Sequence, residues 1–231
     1  MPFSSKTLDF LFENHLQDSK AWFEEHKQQY IDYVLHPLEE MVGRLTDAVL
    51  ALDPQAVTIP KVGKTISRIR RDTRYTKDKH IYRKNMWLVF KRGEKMYGTD
   101  YPGIYFDISP DTFSYGCGYY AASTEFMNHL RNAILTGNPG AMAAIEAYES
   151  QSVFTLNGER YKKPHFPDKP PEQQKWLELR GISLDAESSN VELFFSDRLG
   201  EAVSKDLLLL KPMYQFLLQT ALTVPHKNEE N

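Results

Sequence analysis

The sequence has little cysteine, no long apolar run and no recognisable export signal. Cys117 is the single cysteine, so no internal disulfide can form and a reducing compartment is expected. The first residues lack the basic and apolar regions of a secretory signal. No apolar stretch approaches the roughly 18 residues that are needed to cross a bilayer. These absences predict a cytoplasmic protein without a membrane segment.

Motifs for metal, nucleotide and acyl-transfer chemistry are missing as well. The seven histidines form no HxH or HExxH pair, and the chain has no CxxC, Walker loop, GxSxG or helix-opening GxGxxG. We therefore predict no metal site and no cofactor, and the residues leave open whether the protein is an enzyme. Cys117 lies between two glycines in an alternating stretch, which favours a small strand residue over a nucleophile.

Hydrophobic spacing divides the chain into four blocks. Residues 1–55 have helical spacing, 57–120 are rich in strand patterns, 123–187 are mixed and loop-rich, and 190–223 are helical again. This order predicts an α+β fold with a mainly antiparallel central sheet between N-terminal and C-terminal helices. Since no clear linker interrupts the chain, we predict a single domain over residues 1–231.

Local patterns in the first half predict individual elements. Pro37 either kinks a helix or opens one, and Ser123 is expected to cap a helix. Strands are expected at 86–90, 101–109 and 112–120, where apolar residues run together or alternate. The first helix is expected to have an apolar stripe formed by Leu8, Leu11, Phe12 and Leu16.

The second half contains turn and cap signals. Asn157-Gly158 predicts a β-hairpin between two short extended runs. The proline-rich stretch KKPHFPDKPP predicts an ordered surface loop. Beyond Arg180 the chain is expected to be helical, with Ser196 as a cap and Pro212 as a kink.

The positive charge is concentrated in one short stretch, RIRRDTRYTKDKHIYRKN (68–85). Eight Lys or Arg residues and two aspartates give it a charge of +6, whereas the whole chain carries −3 and the other 213 residues therefore sum to −9. A mildly acidic protein is a poor general binder of nucleic acids or anionic membranes. Any affinity for anions is therefore expected to come from this stretch.

The residue types in this stretch suit the recognition of anionic oxygens. Arginine offers a planar fork of donors for phosphate or carboxylate, lysine a point charge, and tyrosine a hydroxyl and a ring face. Asp72 either orients the neighbouring guanidinium groups or acts as a general base or metal ligand. Tyr82 either orients a ligand or donates a proton, so both residues are catalytic candidates. The predicted ligand-binding residues are Arg68, Arg71, Asp72, Arg74, Tyr75, Lys79, Tyr82 and Lys84.

Two conformations of this stretch are compatible with its spacing. Residues 66–70 alternate as a strand does, which places Arg68 and Arg70 on one face. Every third or fourth position from 68 to 82 also carries a basic or aromatic residue, as on one side of a helix. We favour a strand that leads into an ordered loop, because a packed helix would need more apolar residues.

Residues 68–82 resemble the bacterial domain-of-unknown-function 2461 family, whose mark is R-x-x-R-D-x-R-F-x-x-[DN]-K-x-x-Y. Tyr75 replaces the usual Phe, which keeps the ring and adds a hydroxyl. The pairs Trp22-Phe23 and Lys163-Pro164 also fit the family, so the resemblance spans the chain. It implies no established activity. The matching residues are Arg68, Arg71, Asp72, Arg74, Asp78, Lys79 and Tyr82.

Three functions are consistent with the basic stretch. The first is a local site, enzymatic or not, for a phosphorylated or carboxylated small ligand. The second is nucleic-acid binding, with Tyr75, His80 and Tyr82 stacking on bases beside a basic track. The third is structural: a paired network of Arg, Asp and Tyr that holds a loop against the sheet, or a contact with a partner protein. We favour the first, because a binder of many phosphates is usually basic over a wider face.

Overall fold

The chain begins with helices, passes through an antiparallel sheet and ends in helices. The computed structural model describes residues 3–74, 77–93, 96 and 99–224. The helices are α1 (Ser5–Gln17), α2 (Lys20–Glu25), α3 (Lys27–Tyr30), α4 (His36–Leu52), α5 (Thr124–Leu135), α6 (Pro139–Glu149), α7 (Pro171–Leu177), α8 (Val191–Phe194), α9 (Leu199–Leu209) and α10 (Lys211–Thr223). A π-helical segment, Ile31–Leu35, joins α3 to α4. The strands are β1 (Met86–Phe90), β2 (Gly103–Ile108), β3 (Phe113–Gly118), β4 (Thr155–Asn157) and β5 (Ser183–Ser188).

The five strands form one antiparallel sheet in the order β1-β2-β3-β5-β4. The register places Leu88 of β1 opposite Phe106 of β2, which in turn lies opposite Tyr115 of β3. Residues that lie directly opposite each other in neighbouring strands point to the same face of the sheet, so these three residues share one face. The fold is therefore α+β with an antiparallel sheet, as the sequence predicted.

One face of the sheet supplies the hydrophobic core. Its side chains, such as Ile104, Phe106 and Cys117, are buried in a single cluster together with the apolar faces of α1, α4, α5, α9 and α10. Burial raises the pKa of the Cys117 thiol, so the thiol stays protonated and the strand interpretation of this residue agrees with the structure. On the opposite face, which we call the open face, side chains such as Trp87 and Tyr105 are only partly buried.

A buried ion pair ties the helices to one end of the sheet. Asp53, which ends α4, is fully buried and accepts hydrogen bonds from Nε of Arg92 at 2.8 and 3.0 Å. The hydroxyl of Tyr214 in α10 donates to Asp53 at 3.2 Å, and the backbone N–H of Gln55 donates at 3.0 Å. Because the charge is paired and its oxygens are hydrogen-bonded, the carboxylate is tolerated in the core.

Several predictions about the first half agree with the structure, and one is wrong. Pro37 lies in the first turn of α4, and Ser123 caps α5 by accepting the N–H of Phe126 at 3.0 Å. The predicted stripe of α1 is wrong at Phe12 and Leu16, which are 58% and 67% exposed, and right at Leu8 and Leu11, which pack in the core. The buried residues of α1 are Thr7, Phe10, Leu11 and Asn14.

In the second half, the predicted hairpin at Asn157-Gly158 is wrong. The strand β4 pairs with β5, and the chain continues past Gly158 so that Arg160 pairs with Leu179. Gly158 has a φ of +156° and its Cα approaches the carbonyl of Gly181 so closely that a Cβ would lie 2.1 Å from that oxygen. Glycine is therefore needed at position 158 because the extended backbone passes very close to the backbone of Gly181, and not because the chain turns there.

The C-terminal region differs from its helical prediction in three places. The strand β5 lies just beyond Arg180 and is an interior strand of the sheet, because it pairs with both β3 and β4. Ser196 does not cap α9, whose N-cap position is Arg198. Pro212 lies in the first turn of α10, which begins where α9 ends, so it does not kink a helix.

The proline-rich stretch is ordered, with the N–H groups of His165 and Phe166 donating to Glu178. Within the described ranges, no helix combines the length and apolar character that crossing a membrane requires.

Candidate anion site and its surroundings

The basic stretch consists of two extended segments joined by a loop. Residues 65–71 run antiparallel to 81–89, with backbone hydrogen bonds from Ser67 to Trp87 and from Arg71 to Ile81, both 2.9 Å. The backbone N–H of Arg83 closes the frame by donating to Ile69 at 2.9 Å. The described part of the loop comprises residues 72–74 and 77–80. The extended backbone that leads into it agrees with the prediction, although it pairs through isolated bridges at Ile66 and Arg70 and forms no regular strand. We call residues 68–84 the basic segment.

Two carboxylates inside the loop pair with two of its arginines. Asp72 accepts hydrogen bonds from Nε and Nη2 of Arg74 at 2.9 and 2.6 Å, and these bonds lower the pKa of Asp72 to about 2. Asp78 accepts the N–H of His80 at 3.0 Å and pairs with Arg71, and both interactions lower the pKa of Asp78. Both carboxylates are therefore ionised at neutral pH and orient guanidinium groups. A carboxylate with so low a pKa is a weak base, which does not favour catalysis by Asp72.

A third carboxylate attaches the loop to α1. Oδ1 of Asp18 accepts the backbone N–H groups of Ile81 at 2.8 Å and Tyr82 at 3.0 Å. Nδ1 of His15 lies 3.0 Å from the carbonyl oxygen of Tyr82. Since a carbonyl can only accept, this nitrogen carries the proton. The rings of His15 and His80 are 4.5 Å apart. The end of α1 therefore fixes the return arm of the loop.

Tyr82 is placed away from the surface of the loop. Its side chain is 1% exposed, and its ring stacks on Phe23 with the centroids 5.0 Å apart. Burial raises the pKa of Tyr82, so the hydroxyl is neutral at physiological pH. The ring therefore packs in the core, and the predicted role of Tyr82 in ligand binding or catalysis stays a prediction.

The remaining predicted ligand-binding residues lie on or beside the loop. Nζ of Lys79 donates to the carbonyl of Thr73 at 3.0 Å, which stiffens the loop from within. Tyr75 lies outside the described residues. Besides Lys79, four exposed cations of the basic segment have no acidic partner among the residues that the structure describes: Arg68, Arg70, Lys77 and Lys84.

The comparisons with known proteins agree with the resemblance seen in the sequence. Residues 6–216 match a family described as conserved hypothetical protein (DUF2461). The chain belongs to this family. The match confirms the family that was inferred from residues 68–82, and it covers the DUF2461 region from α1 into α10, including the whole basic segment. A comparison with curated proteins gave no match.

The matched DUF2461 region also contains a polar group on the open face that the sequence analysis did not identify. Asn85 donates to Asp107 at 2.8 Å, and the hydroxyl of Tyr105 donates to Asp185 at 2.7 Å. Burial raises the pKa of Asp107 to about 6. The two hydrogen-bonded pairs are 22 and 80 positions apart in the sequence, so no local motif could reveal them. The one sequence signal for this polar group was Asp107, a charged residue at a strand position that faces away from the core.

Arg83 connects the basic segment to the open face. Its guanidinium carbon lies 4.5 Å from the centre of the Trp87 ring, and its Nε donates to the carbonyl of Arg68 at 3.2 Å. Arg83, Asn85 and Trp87 occupy alternate positions along one extended stretch, so their side chains are expected on the same side.

Among the described residues, no group of three or more His, Cys, Asp or Glu is arranged to hold a metal ion.

Proposed function

We propose that the basic segment binds a small ligand through a phosphate or carboxylate group. The observation that carries this proposal is the imbalance of charge in the basic segment, whose backbone is held in place. Its two acidic residues pair with Arg71 and Arg74, whereas Arg68, Arg70, Lys77 and Lys84 are exposed without an acidic partner among the described residues. An excess of cations on a fixed backbone attracts an anion.

The hydrogen bonds of the loop support binding because they reduce its conformational freedom. Asp18 holds the return arm, Asp72 and Asp78 hold two guanidinium groups, and Lys79 holds the carbonyl of Thr73. Donors that are oriented before the ligand arrives lose little entropy when it binds. The same contacts give Arg71, Asp78 and Tyr82 a structural role. The ligand site and the paired network are therefore complementary parts of one loop.

A small ligand agrees better with the charge pattern than a nucleic acid does. The excess positive charge lies in the short stretch 68–85, and the rest of the chain carries −9. A binder that follows many phosphates would lose affinity steeply with ionic strength and would need cations over a longer surface. Small-anion binding requires only a few converging donors.

The test is titration calorimetry with inorganic phosphate, pyrophosphate and citrate, on wild type and on an Arg68→Ala/Arg70→Ala double variant. We expect the double variant to lose at least about tenfold in affinity, because each charge-assisted contact contributes roughly 1.5–3 kcal/mol. A matched control is Lys162→Ala/Lys163→Ala, which removes the same charge from exposed positions in the loop that follows β4, at the other edge of the sheet.

Three results would overturn the proposal. The first is that wild type binds none of the three anions. The second is that both double variants lose affinity equally, since the effect would then come from net charge alone. The third is that a short oligonucleotide binds far more tightly than the anions, with a steep loss at higher salt, which would favour the nucleic-acid function.

A further inference from the structure

The open face beside the basic segment has a hydrogen-bond network that a simple solvent-facing sheet does not require. Asp185 of β5 accepts three hydrogen bonds: from the hydroxyl of Tyr105 at 2.7 Å, from Nδ2 of Asn157 at 3.0 Å and from Oγ of Ser183 at 2.7 Å. These donors come from three strands. The carboxylate is therefore fixed in position, and it fixes the Tyr105 hydroxyl in turn.

Gly116 allows Tyr105 to reach across the sheet. In the register, Gly116 of β3 lies between Tyr105 of β2 and Asp185 of β5. A Cβ at position 116 would lie 1.9 Å from the carbonyl oxygen of Leu184, so only glycine fits this close approach of two strands. With no side chain between them, the Tyr105 ring extends over the strand backbone towards Asp185. An aromatic ring held in this way is a flat surface on which an apolar ring face can pack.

Asp107 provides an accepting oxygen next to this ring. Its Oδ2 accepts the hydrogen bond from Asn85, whereas Oδ1 accepts none from any described residue and remains reachable from solvent. Asp107 lies opposite Trp87 on one side and Ser114 on the other. An oriented carboxylate, an amide and a hydroxyl near two aromatic rings are groups that hydrogen-bond neutral hydroxyls well.

The two groups of residues are close enough for one small ligand. Asn85 and Arg83 are two positions apart in an extended strand, a rise of about 7 Å. The carboxylates of the open face would repel a second phosphate, whereas they accept hydrogen bonds from neutral hydroxyls. Positive charge and hydroxyl acceptors therefore lie side by side, and each suits a different part of the same molecule.

We propose that the open face binds the hydroxylated ring of a phosphorylated sugar whose phosphate is bound by the basic segment. This inference rests on the proposed anion site and names its ligand class. Asp107 and Asn85 hydrogen-bond ring hydroxyls, and Tyr105 and Trp87 pack against the C–H face of the ring.

The experiment is titration calorimetry with ribose 5-phosphate, glucose 6-phosphate and inorganic phosphate. We expect wild type to bind at least one of the sugar phosphates about tenfold or more tightly than inorganic phosphate. Asp107→Asn is expected to abolish this preference. Since this change removes a negative charge near cations, electrostatics alone would strengthen the binding of all three ligands, so a loss confined to sugar phosphates is diagnostic. The matched control is Glu187→Gln, which changes an exposed carboxylate on the same face of β5 as Asp185.

The outcomes separate this inference from the proposed function. If wild type binds inorganic phosphate and neither sugar phosphate more tightly, the open face takes no part and only the anion site stands. If Asp107→Asn and Glu187→Gln weaken sugar-phosphate binding equally, the inference is also overturned. If wild type binds no phosphate compound, both proposals fail.

A Tyr105→Phe variant keeps the ring but removes its hydrogen bond to Asp185. It is expected to weaken sugar-phosphate binding, while a circular-dichroism melt reports that it is folded.

Discussion

Oδ1 of Asp18 accepts the backbone N–H of Tyr82 at 3.0 Å across 64 positions of sequence. Asp18 reaches this group because it ends α1 in a left-handed conformation, with a φ of 44°, which Asp and Asn tolerate better than most residues. The side chain that follows the first helix therefore determines where the basic segment rejoins the sheet.

Asp18→Ala is expected to destabilise the protein by about 2 kcal/mol, because two partly buried N–H groups lose their acceptor. Asp18→Asn keeps one accepting oxygen and should cost less. The measurement is the free energy of unfolding in urea. Asp9→Ala, an exposed change on the same helix, is the control and should lie within about 0.5 kcal/mol of wild type. Equal effects of Asp18→Ala and Asp9→Ala would refute the attachment.

The buried pair of Asp53 and Arg92 is expected to be among the most sensitive positions. Asp53→Ala removes the acceptor of Nε of Arg92 and leaves the hydroxyl of Tyr214 with the carbonyl of Pro102 alone. A loss of about 3 kcal/mol follows from the uncompensated charge. Chemical denaturation measures it. The comparison is Glu40→Ala, which breaks the partly exposed pair of Glu40 with Arg44 and should cost roughly 0.5 kcal/mol. Similar losses for both variants would contradict this ranking.

Asp107 should make the unfolding free energy depend on pH in a defined direction. Its pKa rises from 3.8 in the unfolded chain to about 6 in the folded protein. The folded state therefore holds the proton more tightly, so the contribution of Asp107 to stability is complete below about pH 4 and is lost as pH rises through 6. The size is on the order of 2 kcal/mol after allowance for partial exposure.

The measurement compares wild type with Asp107→Asn in urea at pH 4.5 and pH 7.5. Relative to the variant, wild type is expected to be less stable at the higher pH than at the lower. A difference between the two proteins that does not change with pH would show that Asp107 is not desolvated by its neighbours.

Gly158→Ala is expected to destabilise the protein by about 1–3 kcal/mol. The added Cβ would collide with the carbonyl of Gly181, and the φ of +156° is strained for any other residue. Thermal unfolding followed by circular dichroism gives the change. Gly181→Ala is the control, since a Cβ there meets nothing within 4 Å. If the two variants melt together, residues 157–159 do not require the close approach.

A continuous apolar run predicted β1, and alternation predicted β2 and β3, because the inward residues of these strands are mostly large and apolar. It did not predict β5, whose sequence SLDAES has only Leu184 and Ala186 on the inward face. The face of α1 was misjudged because apolar residues occur on two sides of that helix. Phe10 faces inward because the rings of Trp22 and Tyr30 lie 5.7 and 6.0 Å from it, and these partners belong to later segments.

For the candidate site, the sequence predicted the composition and not the pairing. The excess of positive charge in 68–85 is visible without a structure. The contact of Asp18 with the loop is not visible, because it depends on how α1 packs against the sheet. Tyr82 was predicted to face a ligand, and its burial against Phe23 depends on tertiary contacts in the same way.

The start of the basic segment has a consequence for association between copies of the chain. Residues 65–67, which directly precede this segment, pair with β1 and border the sheet, and the exposed Arg68 and Arg70 follow directly. Unprotected sheet borders recruit strands from other molecules, and charged side chains prevent this. We therefore expect the same arginines that are proposed to hold an anion to disfavour edge-to-edge pairing of two copies of the chain, and a bound anion to weaken that protection while it is present.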